Sequence, residues 1–105
     1  MNEFVWFKDL IPKALAHYQL ERQARAALVC TRFRDIMPSI VGKDAEGVIK
    51  PKYVKSGVLY VAVPSSIWAQ RVYVHRHELL TRINMESDKP LVEDLRTYVD
   101  TGEVA

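Results

Sequence analysis

Alternation of apolar and polar positions is clearest just after Gly57, and the rest of the chain can be read outward from there. Leu59, Val61 and Val63 share one face of the run from Val58 to Val63, a two-residue period that predicts a half-buried strand. Pro64 has no amide to give to a sheet ladder, so the strand ends there. Ser65 or Ser66 then stands where a hydroxyl can cap the first amides of a helix. From Trp68 the spacing changes to three and four. Trp68, Val72, His75, Leu79 and Ile83, with Leu80 beside them, predict one helix running to Asn84. A strand with one apolar face and a helix with one apolar stripe can cover each other. Asn84 suits a left-handed C-cap, and residues 85–90 read as a loop.

Upstream, residues 10–20 have approximate helical spacing, and Pro12, tolerated in a first turn, places the start near Leu10 or Ile11. Trp6 and Phe7 then precede the helix, folded back onto the core or left to a partner. A second helix is expected over residues 21–37, with Ala24, Ala27, Leu28, Phe33, Ile36 and Met37 as its buried stripe and Arg22, Arg25, Arg32 and Arg34 mostly elsewhere. Pro38 disfavours helical geometry at Met37, which predicts a break or kink and then one more turn to Gly42. Residues 43–47 form a polar connection.

Residues 48–53 read as a strand, with Lys50 and Lys52 on one face and Ile49, Pro51 and Tyr53 on the other. Pro51 marks it as an edge strand or one with a bulge. Lys55-Ser56-Gly57 is a turn, so residues 48–63 form a β-hairpin. Residues 93–99 alternate, aligning Leu95, Thr97 and Val99, and make a third strand; residues 100–105 are expected to fray. The pattern therefore predicts a single α+β domain over residues 1–105, with its core at about 10–99. Its order is helix-helix-strand-strand-helix-strand, a small three-stranded sheet covered by helices on one face.

Composition narrows the class. With 105 residues, 49% of them apolar and 27% charged, the chain suits one globular domain with one core and is not disordered. No stretch approaches the roughly 18 consecutive apolar residues of a membrane span, so no membrane partner is expected. Cys30 is the single cysteine, which excludes an internal disulfide and fits a reducing, cytoplasmic setting. The net charge of +2 conceals an asymmetry. Through residue 83 there are 13 Lys and Arg against 7 Asp and Glu, and from Asn84 onward 2 against 6. A basic body with an acidic end suits an anionic partner.

The inventory for catalysis is thin. Cys30 sits within a helical apolar pattern, where thiols are structural. His75 and His77 are two apart on a helix and cannot share a metal. Ser65-Ser66 has no surrounding Gly-x-Ser-x-Gly, and there is no phosphate-binding glycine loop or paired CxxC. Gly42 and Gly47 stand too far apart for the Gly-x-x-Gly clamp of a KH module. No catalytic residue, metal, cofactor or small-molecule substrate is expected. Binding chemistry is better represented. Lys50, Lys52 and Lys55 crowd one hairpin, Arg71, Arg76 and Arg82 follow on the next helix, and Tyr53, Tyr60 and Tyr73 are interleaved with them. Cations position phosphates and aromatic faces stack on unpaired bases; edge-strand lysines also deter aggregation.

Several strings taken together carry a resemblance. Ile40-Val41-Gly42, the run from Gly57 to Val63, Ser65-Ser66-Ile67-Trp68-Ala69-Gln70 and the run from Glu78 to Asn84 are similar to the bacterial DciA-like family. Its best-described members recruit or load the replicative DNA helicase. The resemblance spans residues 14–99 and implies a KH-like fold, no catalytic residues, and single- or double-stranded DNA and the replicative helicase as partners. Met37 stands where members usually carry a tryptophan, read as a change of core packing, and Arg71 where an acidic residue is common, making this helix more basic. Many members carry a disordered extension, and little of one is expected here. The expectation is a non-enzymatic adaptor touching DNA through Lys50, Lys52, Lys55, Arg71 and Arg76. The alternatives are an RNA-binding KH-like module, or a protein-interaction domain anchored by Phe4, Trp6 and Phe7.

Overall fold

A computed structural model describes the backbone of residues 3–85 and 87–102, with side chains from residue 12 onward. Helix α1 (Glu3–Ile40) is followed by a 3-10 turn (Lys43–Ala45), strands β1 (Lys50–Lys55) and β2 (Val58–Val63), helices α2 (Ser66–Val74) and α3 (Arg76–Ile83), and strand β3 (Asp94–Val99). The sheet order is β1-β2-β3, with β2 central, antiparallel to β1 and parallel to β3. The α+β class and the three-stranded sheet agree with the sequence pattern.

Leu59, Val61 and Val63 are at most 1% exposed and face the helices. Phe33, Met37 and Val29 from α1, Val72 from α2 and Leu79 and Ile83 from α3 close over them, with Val92 and Leu95 completing the layer. Burying each such side chain contributes about 1.5–3 kcal/mol. Leu95 pairs with Leu59 across the parallel ladder, as the predicted alternation of the third strand requires. Ser56 and Gly57 turn the hairpin with φ of 52° and 77°, the two positive values that a tight hairpin turn matching the strand twist needs.

The helices depart from expectation in three places. The two N-terminal helices are one, α1, because nothing from Lys13 to Met37 is glycine or proline and most residues are strong helix formers. Pro12 lies inside α1, as does Pro38, beyond which the helix continues without a break to Ile40. At about 57 Å, α1 is nearly three times the length of a six-residue strand, and among the described residues its buried positions begin at Val29. Ala24, Ala27 and Leu28, expected in the buried stripe, are exposed because the helical period sets them on the side of α1 opposite Val29, Cys30, Phe33 and Met37, which are buried. The side chains of Phe4, Trp6 and Phe7 lie outside the described residues.

The single helix expected over 68–84 is two. His75 adopts φ −99°, ψ 9°, and its amide donates to Val72 in a tightened turn at 3.1 Å. The run Val72-Tyr73-Val74 is β-branched and aromatic, a weak helix former. The break lets Val72 and Leu79 both reach the core at 0% exposure, while His75, placed on the apolar stripe by spacing, is half-buried at the junction. Ser65 does occupy the N-cap, yet its side chain makes no capping bond.

Asn84 is right-handed rather than left-handed, and its amide has another role. Its Oδ1 accepts from the Leu91 and Val92 amides at 2.7 and 3.1 Å, and its Nδ2 donates to the Val92 carbonyl at 2.8 Å. From the other side, Arg32 Nη1 donates to the Ile83 carbonyl at 2.8 Å and the Ser87 hydroxyl at 3.1 Å, supplying a cation to orphan acceptors at a helix C-terminus. The connection that delivers β3 to its parallel position is thus fastened at both ends. Replacing Asn84 by alanine would strand three backbone groups and is expected to cost about 2 kcal/mol, a drop of roughly 10 °C in Tm by circular dichroism; an unchanged Tm would show that the loop is not held this way.

Candidate nucleic-acid interface

Strand β1 is an edge strand with an irregularity next to Pro51, as that proline predicted. Pro51 pairs with Val61 and Tyr53 with Tyr60, so Lys52 is the extra residue of a bulge. One inserted residue reverses the alternation beyond it. Tyr53 therefore leaves the side of Pro51, to which the sequence pattern assigned it. It turns to the sheet face away from the helices, while Val54 turns inward and packs on the core. Lys50, Lys52 and Lys55 are all exposed, and none takes part in an ion pair among the described residues.

The open face of the sheet follows from the register. Lys50 and Tyr98 flank Ala62, Tyr53 and Arg96 flank Tyr60, and Lys55 and Asp94 flank Val58. The Tyr53 and Tyr60 rings stack with centroids 4.7 Å apart and planes 20° from parallel, within the offset-stacked range for aromatic pairs. Ala62 is buried yet lies outside the helix-side cluster, since it sits beneath this polar and aromatic surface. Tyr98 belongs to the same group. Partial burial first, then the neighbouring Tyr53 and Asp100, hold its hydroxyl above the ordinary tyrosine pKa. Tyr98 and Arg96 were not singled out from sequence, although they are the complement of the Leu95-Thr97-Val99 alternation and could have been found there. At the end of this face a hollow of about 340 Å³ is bordered by Lys50, Lys52, Ala62 and Asp100.

The two arginines are placed elsewhere and are already engaged. Arg71 makes a two-pronged contact with Asp44 at 2.8 and 3.0 Å, donates to the Val41 carbonyl at 3.0 Å and lies over the Trp68 ring at 4.6 Å. The hydrogen bonds from Arg71 hold the Asp44 carboxyl below its usual pKa. This clamp also explains Gly42, whose φ is +139° and where a Cβ would come within 2.6 Å of Asp44 and 2.9 Å of Arg71. Any side chain there would open the clamp. Arg76 is bound to Asp94 at the far edge of the sheet, its Nε donating to Oδ1 at 2.8 Å. Tyr73 stands near it on α2, bordering a separate hollow with Arg76, Asp94 and Arg96. Of the five cations named from sequence, the structure gathers the three lysines and separates the two arginines from them.

Trp68 packs against the core, as its place on the apolar stripe implied. Cys30 is buried, and burial pushes its thiol pKa up, which disfavours the nucleophilic thiolate. Among the described residues no group of His, Cys, Asp and Glu could hold a metal, and no helix is long and apolar enough to cross a membrane.

Residues 7–97 match the family model described as Dna[CI] antecedent, DciA. The chain belongs to the DciA family. The match reaches every element, leaving out only the first four residues of α1 and the last two of β3, and membership ties the chain to replicative-helicase loading and so to DNA replication. No curated protein matches the chain.

The Arg76–Asp94 pair gives this domain a pH signature. The hydrogen bonds from Arg76, then the Leu95 amide, hold the Asp94 carboxyl below its ordinary pKa. Such a group stabilises the fold fully above its unfolded pKa of about 4, and the contribution disappears as pH falls through the lower folded value. Arg76→Met should therefore melt below the parent at pH 7, with the gap narrowing as pH drops under about 4 in parallel thermal melts. A gap constant down to about pH 2 would mean that the pair contributes nothing through charge.

Proposed function

We propose that this chain is a non-enzymatic adaptor of bacterial DNA replication, a KH-like domain that contacts DNA and engages the replicative helicase in the cytoplasm. Family membership supports the helicase half. The DNA half rests on one observation: Lys50, Lys52 and Lys55 line an exposed edge strand with no carboxylate paired to them among the described residues.

Ammonium groups on flexible stems suit the phosphate backbone, where binding releases counterions and reads little sequence. Arg71 and Arg76 belong to the same reading in a lesser role. Each would have to exchange a carboxylate for a phosphate, so their main work is to hold the turn at Gly42 and the edge at Asp94.

Replacing Lys50, Lys52 and Lys55 together by glutamate is expected to weaken DNA binding at least tenfold near 0.1 M salt. It should also flatten the plot of log affinity against log salt by about two to three, since each phosphate that is no longer neutralised removes roughly 0.9 from the slope. Titration of labelled DNA by fluorescence anisotropy at several salt concentrations measures both, with circular dichroism to confirm the fold. Unaltered affinity would remove the β1 edge from the interface.

A further inference from the structure

The lysines account for phosphate binding and leave the three tyrosines beside them without a role. We infer that Tyr53, Tyr60 and Tyr98 form a stacking platform for the unpaired bases of single-stranded DNA, with Lys50 and Lys52 holding the adjoining phosphates. The inference rests on the DNA-binding reading above and adds the strand state and the residues that select it.

A tyrosine cluster on a protein surface ordinarily closes over a core. This one lies on the side of the sheet away from the helices, where Tyr53 remains 47% and Tyr98 36% exposed. The bulge at Lys52 is what brings Tyr53 there, opposite Tyr60. The stacking of Tyr53 on Tyr60 covers one face of each ring and fixes the outer faces in place, and every base has a face that fits one.

Charge agrees with that occupant. Lys50, Lys52, Lys55 and Arg96 surround the rings. Of the acids nearby, Asp94 is neutralised by Arg76 and touched by Arg96 at 3.5 Å, Asp100 borders the hollow at the strand ends, Glu46 borders another hollow with Lys50 and Lys52, and Glu93 lies beside the Gly57 turn. That hollow joins the lysines to Ala62, the ladder partner of Tyr98, so a phosphate held there is one sheet position from the rings. In duplex DNA the bases are stacked on each other and offer no free face. The platform therefore favours an unpaired strand, whereas the lysines alone bind either form.

The test measures the binding of the whole chain to a labelled single-stranded oligonucleotide and to its duplex, by anisotropy at fixed salt. Tyr53→Leu with Tyr98→Leu keeps bulk and removes the aromatic faces; Tyr53→Phe with Tyr98→Phe keeps the faces and removes the hydroxyls. The leucine pair should lose roughly tenfold or more on the single strand, with duplex affinity and the salt slope unchanged, and the phenylalanine pair should bind like the parent. Equal losses on both DNA forms, or no loss on the single strand, would overturn the platform while the lysine-dependent salt slope still stood. So would tighter binding to RNA of the same sequence. A parent chain that binds no DNA would end both readings. Should the leucine pair melt early, single Tyr53→Leu and Tyr98→Leu variants, each judged against its phenylalanine counterpart at equal fold content, decide the matter.

Discussion

Burial of one face of β2 is the constraint on which the remaining structure depends. Leu59, Val61 and Val63 are taken out of water completely, and a six-residue strand achieves that only if helices arrive from both directions along the chain. The end of α1 comes from one side and α2 with α3 from the other. Because β2 is central, its ladders also set the positions of both neighbours. β1 is fixed by a two-residue turn, and β3 by a parallel register that needs a long crossover. The fastening of that crossover at Asn84 and Arg32 follows from the same demand. A parallel strand has no tight turn to set its register, so side chains do it.

The same constraint determines which face remains for function. A sheet with one face sealed leaves the alternate residues of every strand on the other. Here these are lysines, an arginine, tyrosines and Asp94 around Val58 and Ala62 rather than a neutral polar mixture. Edge protection would call for charge on β1, and Lys50, Lys52 and Lys55 meet that need. It gives no reason for stacked aromatic rings beside them, which carry apolar area that a purely protective surface would avoid. The division between lysines without an ion-pair partner among the described residues and arginines committed to Asp44 and Asp94 is likewise a matter of surroundings. Guanidinium groups form the two-pronged pairs that lock a turn, and ammonium groups without partners stay available.

Most of the sheet was legible in the sequence because its clues are local. The alternation of Leu59, Val61 and Val63, the turn at Gly57 and the disruption near Pro51 each act within a few residues. What could not be read was how long-range geometry settles competing local preferences. Pro12 and Pro38 suggested helix ends, but both lie within α1, since a start or stop rule expresses a preference that a strongly helical neighbourhood can override. Ala24, Ala27 and Leu28 do follow a helical spacing, but it is that of the side of α1 opposite Val29, Phe33 and Met37, and the period alone did not say which side meets the sheet. At the candidate site the same limit applied to Tyr53. Pro51 indicated a bulge, but the side to which the chain turns afterwards depends on which residue is inserted, and only the pairing of Tyr53 with Tyr60 settles that. Arg71 and Arg76 looked equivalent to the lysines because their carboxylates lie 27 and 18 residues away in sequence.

The arrangement also gives one small domain two separate surfaces. The lysine edge and the tyrosine face occupy one side of the sheet, and the helices occupy the other. A ligand on the open face therefore need not disturb the apolar layer, and contact with the helices need not reach the open face. Under the proposed adaptor role such separation serves better than a shared cleft, since two partners on opposite sides could be bound together and local concentration, rather than a conformational change, would link them.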